Sequence, residues 1–317
     1  MKHFYFIGIA GSAMAGTAAA LKEEGHQVSG SDNGVYPPMS NFLAAEGIPY
    51  HDSFSEDHIV DLPDDTVIVI GNAMSRGNTE VEAVLDRKLR YTSLAALVAE
   101  EMIAGRRSLV FAGTHGKTTM SSLAAWVLES AGRQPGFLIG GIPENFGRGC
   151  RPAAKDDIFV TEGDEYDTAF FDKRSKFVHY RPDIAVINNV EFDHADIFDC
   201  LEHIKRSFRQ LINLIPGCGT LIVNGDDPIA IELAQSAHCR VLTVGCGAMC
   251  DLAGSDIRST GGRSAFTVTD NRHETEQRFH IPLMGDFNVR NAMAVIAALR
   301  TAGLTDEEIQ QGFDSFK

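Results

Sequence analysis

The stretch SLVFAGTHGKTTMSSLAAWVLESA, residues 108–131, decides how this chain is read. Residues 108–113 have the apolar composition of a buried strand, and residues 118–131 carry small and apolar side chains at helical spacing. Between them lies Gly113-Thr114-His115-Gly116-Lys117-Thr118-Thr119. A loop so placed aims several backbone N–H groups and the positive end of a helix dipole at one point, while a lysine adds charge and a hydroxyl can hold Mg²⁺. That is a cradle for a nucleoside triphosphate. The strict G-x-x-x-x-G-K-[ST] pattern is not met, because Phe111 stands five before Gly116. The assignment therefore leans on the strand-loop-helix setting.

On both sides of this stretch, hydrophobic runs alternate with helical patterns, the mark of an α/β fold. The 317 residues exceed one ordinary domain, and the polar turn Gly105-Arg106-Arg107 divides them. Residues 1–107 are expected to form a Rossmann-like domain and residues 108–317 a P-loop ATPase-type domain with a parallel sheet. In the first domain we expect strands at 3–10, 27–31 and 66–70, helices at 12–24, 78–88 and 94–104, and a short strand near Arg90. In the second we expect strands at 157–162, 183–189, 219–224 and 240–245, a β-rich patch over 264–282, and helices at 201–214, 289–301 and 306–316.

Composition narrows the function. There are 28 Lys plus Arg against 43 Asp plus Glu, a net charge of −15, and the acidic excess is shared between both halves. Neither half offers the basic surface that nucleic acid or an anionic membrane attracts. No signal-peptide core opens the chain and no run reaches the ~18 apolar residues of a membrane span, so a cytoplasmic protein is expected, with no membrane insertion. The six cysteines lack the paired spacing of a zinc site and are expected to be reduced, buried thiols.

A second glycine-rich turn, Gly8-Ile9-Ala10-Gly11-Ser12-Ala13-Met14-Ala15-Gly16, follows the first strand, with Asp32 about twenty residues on. Ala10 stands where the dinucleotide fingerprint needs its second glycine. A nucleotide diphosphate on the helix start fits better than a redox cofactor. An NAD(P)-dependent oxidoreductase and a noncatalytic nucleotide-binding module are the readings from other classes. Two acidic segments follow the phosphate loop: Glu162 in VTEGDEYD, and Asn189, Asp193, His194 and Asp196 in NNVEFDHAD. Both fall at the expected carboxyl ends of strands, where open α/β sheets bind ligands.

These residues resemble a family. GTHGKTT, the E-x-D-E-x-D segment from Glu162, N-x-x-x-D-H-x-D from Asn189, and N-x-x-N at Asn288 and Asn291 look like the Mur ligases, ATP-dependent peptide ligases of bacterial cell-wall synthesis. The opening FIGIAGSAMAG resembles the branch that uses UDP-N-acetylmuramate. VYPPMS (35–40), PENFGRGCR (143–151) and DTAFFDKRSKFVHYRP (167–182) look closer to the members that add L-alanyl-gamma-D-glutamyl-meso-diaminopimelate than to those that add free L-alanine. The first reaction, in peptidoglycan recycling, is the one the resemblance implies, and UDP-N-acetylmuramate:L-alanine ligation is its alternative.

The resemblance also implies roles. Lys117, Glu162 and His194 would be catalytic, and residues 113–119 with Asn288 and Asn291 would bind ATP. Gly8, Ala10, Gly11, Ser12, Met14, Asp32 and Asn145 would hold the UDP-linked substrate, and Thr118, Glu162 and His194 would hold Mg²⁺. Two departures stand out. Several Mur ligases carry a carbamylated lysine in the helix after the D-H segment, where this sequence has Phe208 with Lys205 three residues away, so no carbamate is expected. Phe287 replaces the histidine many relatives have before N-x-x-N. Family members continue into a third α/β domain for which nothing follows Lys317, and the expectation is a chain that binds UDP-N-acetylmuramate without completing the reaction.

Overall fold

The computed structural model describes residues 1–191 and 200–317. The first unit contains β1 (His3–Ile7), α1 (Ser12–Glu23), β2 (Gln27–Ser31), α2 (Met39–Ala45) and β3 (Tyr50–His51). It continues with α3 (Glu56–Val60), β4 (Val67–Ile70), α4 (Thr79–Asp86), β5 (Tyr91–Ser93) and α5 (Leu94–Leu97). A π-helical segment, Val98–Ile103, extends α5, so the helix expected over 94–104 is α-helical only at its start. The five strands run parallel in the order β3-β2-β1-β4-β5. That order reverses beside β1, which leaves the turns after β1 and β4 facing each other across a crevice, the usual ligand position in such sheets.

The second unit opens with β6 (Arg107–Ala112), α6 (Lys117–Ser130), β7 (Gly136–Leu138), β8 (Cys150–Arg151) and β9 (Ile158–Gly163). A hairpin of β10 (Asp167–Ala169) and β11 (Asp172–Ser175) leads through a 3₁₀ turn, Lys176–His179, to β12 (Ile184–Ile187). There follow α7 (Leu201–Asn213), β13 (Thr220–Asn224), α8 (Pro228–Ala234) and β14 (Arg240–Gly245). The chain closes with β15 (Leu252–Thr260), β16 (Arg263–Asp270), β17 (Thr275–Ile281), α9 (Asp286–Ala302) and α10 (Asp306–Ser315). One sheet takes the order β17-β16-β15-β14-β13-β12-β6-β9-β7-β8, parallel from β15 to β7 and antiparallel at both edges.

Strand alternation explains why the central strands are apolar throughout. Leu109 and Phe111 of β6 enter one core with α6 and α9, while Val110 and Ala112 enter another on the opposite face. β12 divides its residues the same way, Ile184 and Val186 from Ala185 and Ile187. Covered on both sides, such strands must be hydrophobic at every position. Each large apolar side chain so buried stabilises the fold by about 1.5–3 kcal/mol. The second of these cores crosses between the units, joining Ala15, Ala18 and Ala19 of α1 to Cys150, Ala153 and Phe177. Close approach here depends on Gly16, where a Cβ would lie 3.2 Å from Cys150 Cβ. At the rim Arg148 Nη1 donates to Glu23 Oε2 at 2.6 Å.

Two expectations need correcting. Only Cys150 and Cys250 are buried; Cys239 is half-buried and Cys200, Cys218 and Cys246 are exposed, all six being free thiols. The exposed three lie in the turn before α7, the turn before β13 and the turn after β14. The β-rich patch starts at Leu252, earlier than the sequence suggested, because β15 pairs with β14 before folding back on β16. Among the described residues, no helix is long and apolar enough to cross a membrane.

Candidate functional site

The phosphate loop links β6 to α6, and glycine geometry sets its path. Gly116 has φ +87°, and a Cβ there would lie 2.6 Å from Asn291 Oδ1. Gly113 has φ +133°, with Asn189 backbone atoms 3.0 Å from its Cβ position. Only glycine meets both demands without strain. Two further contacts hold the loop open: Thr114 N donates to Asn189 O and His115 N to Asn189 Oδ1, each at 2.9 Å. No side chain caps α6. Its first amides therefore keep the anion-binding capacity of an open helix N-terminus.

Lys117 folds back over this loop. Its Nζ donates to Gly113 O at 2.7 Å and to Glu165 Oε2 at 2.8 Å, and Glu165 is buried. Glu165 was not singled out among the site residues, although it is the second glutamate of the E-x-D-E-x-D segment. Glu162 is the penultimate residue of β9, level with Phe111 of β6. Burial raises its carboxyl above the ordinary value, against the Gly140 N–H, the Thr118 hydroxyl and Lys117, which favour the charged form. The Gly140 N–H reaches Oε1 at 2.7 Å. A desolvated carboxylate and a hydroxyl at the mouth of a phosphate loop are oxygen donors suited to a hard divalent cation. Thr118 and Glu162 thus fit their expected metal role. His194, with Asp193 and Asp196, lies outside the described residues.

A second cleft of about 570 Å³ lies on the far side of the loop, lined by His115, Gly116, Thr119, Asp227, Phe287 and Asn291 among others. Asn291 is buried and accepts from Asn188 Nδ2 at 2.9 Å. Asn288 is not part of this wall; its amide donates to Met284 O at 2.8 Å. The aromatic ring of Phe287, 68% exposed, borders the cleft instead. Asn145 is also placed apart from the substrate cleft, its Oδ1 accepting from Lys317 N at 3.0 Å. At the carbamate position, Phe208 is buried against Phe177, and Lys205 Nζ pairs with Glu232 at 2.7 Å.

The turn after β1 behaves differently from the phosphate loop. Gly8 N and Ile9 N both donate to Ser31 O, Gly11 N donates to Gly8 O, and Ala10 N donates to Asp32 Oδ2 at 2.8 Å. Asp32, which a dinucleotide fingerprint would reserve for a ribose, is engaged by the turn itself. Gly8, Ala10 and Gly11 therefore shape this turn but have their amides occupied. α1 has no capping side chain and no acidic residue in its first turn. The amides of Ser12, Ala13 and Met14 remain the anion-facing group.

These features meet in one cleft of about 660 Å³ at the crevice between β1 and β4. Its walls run from Gly8, Ser12, Met14 and Asp32 in the first unit to Glu162 and Lys176 in the second. Glu162, paired with Phe111 of β6 just ahead of the phosphate loop, thus stands where the cleft approaches that loop.

Two family models match the chain. Residues 3–106 match the model of the Mur ligase family, catalytic domain, and residues 111–299 the Mur ligase middle domain. The UDP-N-acetylmuramate--L-alanyl-gamma-D-glutamyl-meso-2,6-diaminoheptandioate ligase of Haemophilus influenzae is 40% identical, over all of this chain and 68% of its own length. A crystal structure of UDP-N-acetylmuramate:L-alanyl-gamma-D-glutamyl-meso-diaminopimelate ligase from Neisseria meningitides superimposes with TM-score 0.92 at 42% identity, covering 100% of this chain and 98% of that one. A UDP-N-acetylmuramate--L-alanine ligase from Variovorax paradoxus is 32% identical over all of this chain and 63% of its own length. The chain belongs to the Mur ligase family of ATP-dependent amide ligases.

Proposed function

We propose that this chain serves the ATP-dependent joining of L-alanyl-gamma-D-glutamyl-meso-diaminopimelate to UDP-N-acetylmuramate, in peptidoglycan recycling. The observation that carries the reading is the single cleft running from the uncapped start of α1 to Glu162 beside the phosphate loop. A diphosphate at one end of it leaves a sugar-linked carboxylate near the other. Residues 1–107 are read as the UDP-substrate unit and residues 108–317 as the ATP unit. ATP in a cytoplasmic setting is part of the same reading.

In the first step a lactyl carboxylate oxygen attacks the γ-phosphorus of ATP, the β–γ bridging bond breaks, and ADP departs. The amides of α6 and the Lys117 ammonium offset the charge that develops on the phosphates. Lys117 must exchange Glu165 for phosphate oxygens to do this. Thr118 and Glu162 would hold Mg²⁺, with His194 assigned to a second ion by the family resemblance, and the metal would supply charge neutralisation between the two anions. In the second step the peptide amine attacks the acyl carbon through a tetrahedral intermediate, loses a proton and expels phosphate. Asn291 and Phe287 border the cleft available to the adenine.

Identity favours the tripeptide over L-alanine as amine, 40% against 32%. The test has two parts. Positional isotope scrambling in β,γ-bridge-labelled ATP should require UDP-N-acetylmuramate and no amine; scrambling indifferent to that substrate would overturn the reading. Phosphate release with each amine then decides between them, and faster release with L-alanine would give the reaction to the alternative.

A further inference from the structure

We propose that Lys176 is the positioning group that receives the muramoyl carboxylate, an inference that rests on the function proposed above. The ligand expected in the 660 Å³ cleft carries negative charge at both ends, a diphosphate and a carboxylate. The α1 amides suit the first. The opposite end presents Glu162 and Asp164, two carboxylates that would repel the second. Among the described residues lining the cleft, Lys176 is the one cation, set against Asp32, Glu162 and Asp164.

The geometry lets that cation change partners without moving the backbone. Lys176 Nζ lies 2.6 Å from Asp164 Oδ2, and the lysine side chain is 26% exposed. Its 3₁₀ turn is fixed by Lys176 N donating to Tyr166 O at 3.0 Å and by the buried ring of Phe177. Only a flexible four-carbon stem must swing, and one carboxylate replaces another at similar cost. Lys117 cannot serve as well, because it is nearly buried and held to Gly113 O and Glu165.

Calorimetric titration with UDP-N-acetylmuramate and with UDP-N-acetylglucosamine, which lacks the lactyl carboxylate, tests the proposal. Lys176→Met should weaken binding of the first roughly ten- to a hundredfold, the loss of one charge-assisted bond, and leave the second unchanged. Lys176→Arg should keep most of the preference. Equal weakening of both ligands would assign Lys176 a structural role through Asp164 and overturn the proposal, as would unchanged binding of both. A wild-type chain with no preference between the ligands would instead overturn the proposed function, and this inference with it.

Discussion

The turn after β1 and the loop after β6 are built on one plan: a buried strand, a glycine-rich connection and a helix whose first amides have no cap. They differ in what neighbouring strands bring to them. At the first, Asp32 and Ser31 from β2 and its end take up the amides of Gly8, Ile9 and Ala10, leaving a short anion site with no lysine. At the second, Asn189 holds Thr114 and His115 from beside β12, while Glu165 pairs with Lys117 and Glu162 approaches from β9. On the proposed function, the same backbone would serve as a diphosphate rest in one case and a charged, metal-binding reaction site in the other. Side chains from adjacent strands, more than the loop sequence, decide which.

That contrast breaks most completely at Lys117. Lys117→Ala should reduce UDP-N-acetylmuramate-dependent ATP cleavage by about a thousandfold or more, since it removes charge from the developing transition state. Binding of UDP-N-acetylmuramate, measured by calorimetry, should hold. Equal loss of both would point to misfolding instead.

Glu162 gives the next largest effect. Burial raises its carboxyl, so the folded chain holds that proton more tightly than the unfolded chain. Ionisation therefore subtracts stability at neutral pH, and the penalty fades as pH falls through the raised value. Glu162→Gln should melt above wild type at pH 7 without Mg²⁺, with the gap closing in acid. Mg²⁺ should raise the melting temperature of wild type alone, and the Mg²⁺ needed for activity should rise on the order of a hundredfold in the variant. Superimposable metal titrations would remove Glu162 from the site.

A smaller change tests the first turn. Asp32→Ala leaves Ala10 N–H without its partner, and UDP affinity should fall about tenfold while ATP affinity is kept. Tighter UDP binding would mean that Ala10 N–H is itself a phosphate donor that Asp32 blocks. The smallest effect belongs to Phe287→Ala, which should weaken ATP binding by roughly threefold to tenfold through lost ring contact and leave stability alone. No change would separate the exposed ring from the nucleotide.

Much of the fold is legible in the sequence. Buried strands such as 108–113 announce themselves by composition, and helices such as 306–316 by the Thr305 and Glu308 capping box. Short elements did not: β3, β7, β8 and the β10–β11 hairpin have too few residues to show a period. At the site, the motif placed Gly113, Gly116 and Lys117 correctly in one loop, because glycine and lysine act there through local geometry. Glu165 and Asn188 carry no local signal, since their partners lie dozens of residues away, and Lys176 is placed only by a cleft shared by two units. Asn145 and Asn288 sit against Lys317 N and Met284 O, contacts that a motif position does not specify.

The central claim is that the two helix starts hold different nucleotides. It is tested most directly by a crystal structure of the chain with UDP-N-acetylmuramate and a nonhydrolysable ATP analogue. The account predicts the uridine diphosphate on the amides of Ser12, Ala13 and Met14, and the triphosphate on residues 113–119 with Lys117 turned away from Glu165. A uridine diphosphate found on residues 113–119, or a Lys117 still paired with Glu165 beside bound triphosphate, would contradict it.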